Sequence, residues 1–349
     1  MAGLAVASPL GLSRMARAEE IGSYDGPLWI TINCSGGWDP TMVCDPKGNS
    51  VNQSFTTEQI LTKGPFAVAP IDFVDTFFEA HKSKLMVING IDLSTNNHEP
   101  GKRNVWSGRL GEGHPNIAAL IAGCAAPDAP MAFINDGGYE ETAGLVTATR
   151  PESSDLDFFK RIANPNYVDA QGADTYHDDE VADAIRKARK ARLDTQRSGQ
   201  TLPRARLSMD TLYTARVGQT QLKKLIKHLE NPTGGNKLIR QLKLTLAAYQ
   251  AGLVAGAHLS TGGFDTHDDH DNRQTSALSE LFLGLEYLFE ELELTGLSDS
   301  VVVMVSSDFS RTPTYNGNNG KDHWPYTSMM LYGPGRIPGG RLLGATDEN

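Results

Sequence analysis

Cysteine is scarce in this chain of 349 residues, with three copies. Cys34, Cys44 and Cys124 cannot all pair, and no CxxC or Cys/His finger spacing links them, so neither a disulfide framework nor a zinc finger organises the chain. Cys34 and Cys44 either bridge in an oxidising compartment or stay buried as free thiols. Long apolar runs are missing too: no segment reaches the roughly 20 residues a membrane helix needs. Positive charge is in deficit, with a formal net charge of −10 and the basic residues scattered, so the electrostatic footprint of nucleic-acid binding is absent. No GxSxG elbow surrounds Ser35, Ser306 or Ser307, which argues against an ordinary α/β-hydrolase. The Gly/Pro-rich stretch from Gly333 to Gly340 lacks the strand-GxGxxG-helix setting of a dinucleotide site.

The composition that remains, 39% hydrophobic and 21% charged, suits one large core or a core with an inserted subdomain. Residues 1–20 read as the remnant of an export signal: a short apolar run from Ala2 to Leu12, then Ala16-Arg17-Ala18 as a small-x-small cleavage pattern. A disordered cytosolic tail is the competing reading. The expected location is periplasmic or secreted, with the twin-arginine route among the candidates, and residues 21–349 form the folded part.

Leu28 to Cys34 (LWITINC) is a β-branched run that stops at Gly36-Gly37, as a buried strand meeting a loop should, so Asp39 falls just past a strand end. Helical spacing from Pro70 to His81 leads into a second buried strand from Lys84 to Ile91. Pro115 to Ala122 predicts a helix with Gly123 as its stop, and Met131 to Ile134 a strand. From Asp178 to Glu230 the chain is rich in Lys, Arg, Glu, Gln and Ala, which predicts a helical insertion; its RKARKAR run, Arg186 to Arg192, is a solvated helix face. Asn236 to Leu253 is an amphipathic helix feeding a strand, Ala255 to Leu259, and the loop GGFDTH. Ser276 to Leu294 is a long helix before the strand Ser300 to Val305. Alternation of this kind predicts an α/β three-layer sandwich, a mostly parallel sheet with helices on both faces, whose ligands gather beyond the carboxyl ends of the strands.

Asp39, Asp265, His267, Asp308 and His323 all fall near such ends. Carboxylates and imidazoles converging from separate loops are what a hard or borderline divalent cation requires. An isolated Asp after a strand is more often a turn or cap residue, and an isolated His more often structural. Five together are harder to dismiss. The neighbouring run His267-Asp268-Asp269-His270 could extend a metal site, but a solvated loop is the plainer reading.

The segments GGFDTH (262–267), SSDFSRTP (306–313), NGKDHW (319–324) and GGRLLGATD (339–347) resemble, in this order, the bacterial domain-of-unknown-function family 1501, grouped with the alkaline phosphatase and sulfatase superfamily. The resemblance implies an alkaline-phosphatase-like fold from about Pro27 onward, and relatives continue beyond GATD. It implies a divalent metal (zinc, calcium, magnesium or manganese), with Asp265, His267 and His323 as ligands of one ion, Asp308 as the carboxylate of another, and Asp39 as the aspartate after the first strand. It further implies that His98 to Arg109 (HEPGKRNVWSGR) is a nucleophile-bearing helix, with His98 where Cys, Ser or Thr is expected and Phe309 where a ligand His is expected. Imidazole can ligate metal or accept a phosphoryl group but cannot form formylglycine or an alkoxide. Hydrolysis would then use water activated by the cation, or His98 itself as the catalytic group. Lys102, Arg103 and Arg311 are candidates for holding the substrate, a small anionic ester or a sulfated or phosphorylated glycan. The rival expectation is a non-catalytic exported protein that keeps a structural cation or an anionic glycan.

Overall fold

The run LWITINC becomes strand β1 (Leu28–Cys34), which has parallel neighbours on both sides and is buried on both faces. Leu28, Ile30, Ile32 and Cys34 turn to an apolar core on one face, while Thr31 and Asn33 on the other bond to His258 and Trp106. The computed structural model describes residues 23–151, 156–169, 174–217, 221–229 and 234–347, so the export-signal reading of residues 1–20 lies outside the described residues. Along the chain follow β2 (Leu61–Lys63), β3 (Phe66–Val68), α1 (Asp72–His81), β4 (Leu85–Asp92), α2 (His98–Ser107), α3 (Ile117–Ala125), β5 (Phe133–Asn135) and β6 (Ala148–Thr149). Next come α4 (Leu156–Ala163), α5 (Asp179–Ser198), α6 (Pro203–Val217), α7 (Leu222–His228), α8 (Lys237–Gln250), β7 (Gly256–Thr261) and α9 (His270–Leu294). The described chain closes with β8 (Val301–Ser306), β9 (Ser310–Tyr315), β10 (Lys321–Trp324), β11 (Tyr326–Tyr332) and β12 (Arg341–Leu343).

Eight strands form the central sheet in the order β12-β4-β11-β8-β1-β7-β5-β6. Among the described strands of this sheet only β11 runs against the others, pairing antiparallel with both β4 and β8. On one face Ile30, Ile32, Ala257, Leu259, Val303 and Val305 join a large core with Phe77 of α1, Leu242 of α8 and Leu285 of α9. On the other, Trp106 of α2 donates to Asn33 of β1, and α3 packs so closely over β7 that a Cβ on Gly256 would lie 2.3 Å from the Ala118 carbonyl oxygen. The fold is therefore α/β with three layers, as expected.

Several boundaries differ from the sequence reading. Helix α3 runs through Gly123 to Ala125; that glycine admits the loop at Leu145, whose Cβ would sit 2.8 Å from an added Cβ, and does not end the helix. Helix α9 begins at His270, before Ser276: Asp269 turns the chain through the left-handed region (φ 42°), and His270 and Gln274, one turn apart, are buried. The run around His267 is thus only partly a solvated loop: His270 is fully buried. Within 178–230 the described residues form the three helices α5, α6 and α7 with short connections, and the basic run of α5 pairs with Asp183 and Asp194 on a surface helix. All three cysteines are free thiols, with Cys34 and Cys44 buried. The hairpin β9-β10, which no periodicity announced, rises from the carboxyl end of β8 and carries Arg311, Lys321 and His323.

His258 lies within β7 under Trp106, with ring centroids 5.1 Å apart and Nδ1 2.8 Å from the Thr31 hydroxyl. Burial pushes its pKa down to about 3. The folded protein therefore holds a neutral imidazole that the unfolded chain protonates below about pH 6.5. Stability is expected to be full above that pH and to fall, by up to about 1.4 kcal/mol per pH unit, as pH drops from 6.5 toward 3. Urea titrations across that window should show the slope in the wild type and a shallower one in His258→Gln.

Candidate metal centre

The site is built where β1 and β8 end. Past β1 the chain turns through Gly36 (φ 116°) and Gly37 (φ 90°), and both amides donate to Asp308 Oδ1 at 3.0 Å. Gly37 has no alternative: a Cβ there would stand 2.6 Å from the Phe309 ring. The Ser307 hydroxyl adds a third hydrogen bond at 2.9 Å to the same oxygen. Asp308 is fully buried, so these donors replace the water its charge has lost. Its other oxygen, Oδ2, lies 2.6 Å from Nδ1 of His98, the first residue of α2.

Gly101 makes that contact possible. A Cβ at this position would lie 1.9 Å from the Asp308 carbonyl oxygen, so α2 can settle on the β8 loop only where there is no side chain. Gly101→Ala is expected to lift α2 and break the His98–Asp308 bond. The cost should be about 1–3 kcal/mol of stability from overpacking, with an approximately 10–100-fold loss of metal affinity, as when a ligand's hydrogen-bonded support is removed. A denaturation curve and a metal titration on the same sample would read both.

Three histidines meet at Asp265, and each has its Nδ1 committed to an acceptor. His98 Nδ1 faces Asp308 at 2.6 Å, His267 Nδ1 faces Asp322 Oδ1 at 2.8 Å, and His323 Nδ1 faces the Asn96 carbonyl at 2.8 Å. A carboxylate or carbonyl oxygen can only accept, so each Nδ1 carries a proton, which leaves Nε2 as the atom of each ring whose lone pair a cation would take. Those Nε2 atoms converge. His267 Nε2 is 3.1 Å and His323 Nε2 3.3 Å from Asp265 Oδ1, while His98 Nε2 is 3.7 Å from Oδ2. His267 and His323 bring Nε2 to within 3.0 Å of each other, a repulsive contact for two lone pairs unless a proton or cation lies between them. The ligand atoms of His98, Asp265 and His323 all lie within 4.8 Å of one another. The donor set, three imidazoles and a carboxylate, suits a borderline divalent ion such as zinc or manganese.

Phe309, where a ligand histidine is expected, is fully buried and packs its ring against His98 (4.7 Å) and His323 (4.2 Å), a hydrocarbon floor beneath the two imidazoles. Asp265 is half exposed, so the centre opens to solvent. Burial tends to raise its pKa, but the hydrogen bond and positive charge of Arg311 bring the net shift downward. His323 shifts down, chiefly through burial and despite its bond to Asn96.

The structure brings His98, Asp265, His267 and His323 together, sets Asp308 and Arg311 directly behind them, and leaves Asp39, Lys102 and Arg103 with other partners. Asp308 is spent on backbone amides and on His98, the position of a carboxylate that orients a ligand. Asp39 belongs to a separate buried group: Oδ2 meets Lys321 Nζ at 2.7 Å and His270 Nε2 at 3.0 Å, and Oδ1 accepts from Thr41. Burial favours its neutral form, yet the Lys321 charge and the His270 hydrogen bond hold its carboxyl well below the usual carboxylate range. Arg311 is buried, its Nε bonded to the Gly37 carbonyl, Nη1 to the Lys321 carbonyl, and Nη2 to the Gly36 carbonyl and Asp265. It pins the glycine turn to the hairpin and lends charge to Asp265. Lys102 pairs with Glu99, and Arg103 bonds the Leu110 carbonyl and Glu112. Sequence reasoning missed Lys321 and His270. The only signal was their place inside motifs already singled out, NGKDHW and the run after His267.

Among solved structures the chain is similar to the PsFucS1 sulfatase from Pseudoalteromonas sp., with 10% identity, a TM-score of 0.40, and coverage of 93% of this chain and 66% of that one. It is also similar to a TAB5 alkaline phosphatase mutant with Mg bound in its M3 site (10% identity, TM-score 0.39, 92% and 95% covered). A third similarity is to the phosphonate monoester hydrolase of Agrobacterium radiobacter (11% identity, TM-score 0.35, 91% and 70% covered). No curated protein matches the sequence. The family described as Protein of unknown function (DUF1501) matches residues 29–349, from the second residue of β1 onward, and the chain belongs to that family.

Proposed function

We propose that the protein is a metal-dependent hydrolase of phosphate or sulfate esters, acting outside the cytoplasm, with one divalent ion held by His98, Asp265, His267 and His323. The observation that carries it is the triple commitment of Nδ1: three separate acceptors turn three Nε2 lone pairs toward one carboxylate. A cation bound there would lower the pKa of a coordinated water toward neutrality and polarise an ester oxygen. The residues do the rest. Asp308 keeps His98 in the tautomer that ligates, Phe309 keeps water out from below, and the buried Arg311 charge limits the electron density on Asp265. Lys102 lies one turn after His98 and is held by Glu99, itself mostly exposed, so an incoming anionic ester or sulfated or phosphorylated glycan could compete for it.

His98 takes the place of a hydroxyl or thiol nucleophile, and that substitution favours one other reading: an exported binding protein with a structural ion. The two part on experiment. The full chain is stripped with chelator, reloaded, assayed for metal, and offered aryl phosphate, phosphodiester and sulfate esters beside His98→Ala and Asp265→Ala. Metal-dependent turnover that both substitutions abolish is the expected result. Bound metal without turnover on any ester favours the binding protein, and turnover surviving both substitutions removes the site assignment.

A further inference from the structure

Next to the histidine cluster lies a second group of ligand-type side chains already occupied by the protein's own cation. Asp39, Asn52, His270 and Lys321 are all fully buried. Lys321 Nζ sits 2.7 Å from Asp39 Oδ2 and 3.0 Å from Asn52 Oδ1. The Asn52 amide nitrogen donates to the Lys47 carbonyl at 2.7 Å and to Thr41 Oγ1 at 2.8 Å, which fixes its oxygen toward the ammonium. His270 Nε2 meets the same Asp39 oxygen as Lys321, and its Nδ1 is 2.8 Å from Thr266 Oγ1. A carboxylate, an imidazole and an amide oxygen around one dry point are a donor set for a divalent cation. Among the described residues Asp39 has no ion-pair partner beyond Lys321 and His270.

The backbone delivers Lys321 there deliberately. Gly320 approaches the 266–268 segment so closely that a Cβ would lie 1.9 Å from the His267 carbonyl carbon, and the Lys321 amide donates to the Thr266 carbonyl at 3.0 Å. With the strand end anchored, the side chain enters the pocket.

We infer that Lys321 is a built-in cation that fills this second donor set, so that the protein binds a single divalent ion, at the histidine cluster, and not a pair. The inference rests on the proposed metal site, and the two can fail separately. An ammonium brings one positive charge and donors only, so it satisfies Asp39 and Asn52 without offering an open coordination position. Exchanging it for a small neutral side chain should leave a buried carboxylate without its counterion and room for a cation to replace it.

The test counts ions. The full chain, freed of metal by chelator, is equilibrated with Mn²⁺, desalted and measured by elemental analysis against protein concentration, with circular dichroism to confirm folding. Wild type is expected to hold about one ion per chain and Lys321→Ala about two, with a larger rise in melting temperature on adding Mn²⁺. Lys321→Met, which fills the space without charge, should stay near one. The double variant Asp39→Asn with Lys321→Met, in which no buried charge is stranded, should fold and also hold one, which keeps the test decisive where Lys321→Ala does not fold. Two ions in the wild type, a folded Lys321→Ala that still holds one, or a folded double variant that holds none would overturn the inference while leaving a metal site in place. No ion in the wild type would overturn the metal reading beneath it and the inference with it.

Discussion

Asp265→Ala is expected to abolish metal binding and, with it, any metal-dependent turnover. Asp265 is the one carboxylate that all three converging imidazoles touch, at 3.1, 3.3 and 3.7 Å. Imidazoles provide lone pairs but no negative charge, so the variant would ask a divalent ion to leave water for a site with the buried Arg311 guanidinium beside it and no anion among its ligands. Losing a hydrogen-bonded support of a ligand costs about 10–100-fold in affinity, and losing the ligand itself should exceed that. A bound ion provides several kcal/mol of transition-state stabilisation, and at about 1.36 kcal/mol per factor of ten the fall in turnover should be at least roughly 100-fold. Isothermal titration and ester hydrolysis measure the two effects, and Asp265→Asn, which keeps the shape and removes the charge, should behave like alanine. Wild-type affinity in the asparagine variant would show that charge is not what the site uses.

The second large effect falls on stability. Asp39→Ala strands the Lys321 ammonium in a fully buried position with only Asn52 left to accept from it. Removing one partner of a buried pair typically costs about 3–5 kcal/mol, here a melting temperature lower by roughly 5–10 °C. Because the Asp39 pKa is lowered in the fold, this stabilisation is complete above the ordinary carboxylate value of about 3.9 and is lost as pH falls below it toward the folded value. The deficit of the variant relative to wild type should therefore be constant from neutral pH down to about 4 and shrink in stronger acid. Equal melting temperatures at pH 7 would mean that water reaches Lys321 and that the group is not sealed.

Some of the site was readable before any coordinates. Asp265 and His267 stood in a loop expected after a strand, whereas His323, expected at a strand end, lies within β10; β-branched runs such as SVVVMV mark a buried strand whatever surrounds them. His98 to Ser107 does form a helix, closed by Gly108 in the left-handed conformation at φ 70°. Roles were less readable than positions. Asp39 and Asp308 look identical in sequence, each a single aspartate past a strand. What separates them is their company: two glycine amides and His98 around one, Lys321 and His270 around the other. Neither set is local in the chain. The hairpin β9-β10 escaped notice for a related reason, since SRTPTY and KDHW are short, polar and carry a proline, and what holds them is Arg311 bonding back to the glycine turn.

Hydrophobic patterning by itself determined that this is an α/β chain with its candidate site beyond strand ends, because strands covered by helices bury apolar runs and the polar residues that follow them gather at the carboxyl ends of the sheet. Tertiary structure alone decided which of those polar residues share a point in space. Ligation depends on where Nε2 and carboxylate oxygens lie to within a fraction of an ångström. That placement follows from glycines at 37, 101 and 320, where a Cβ would collide with residues far off in the chain, a constraint that no local pattern records.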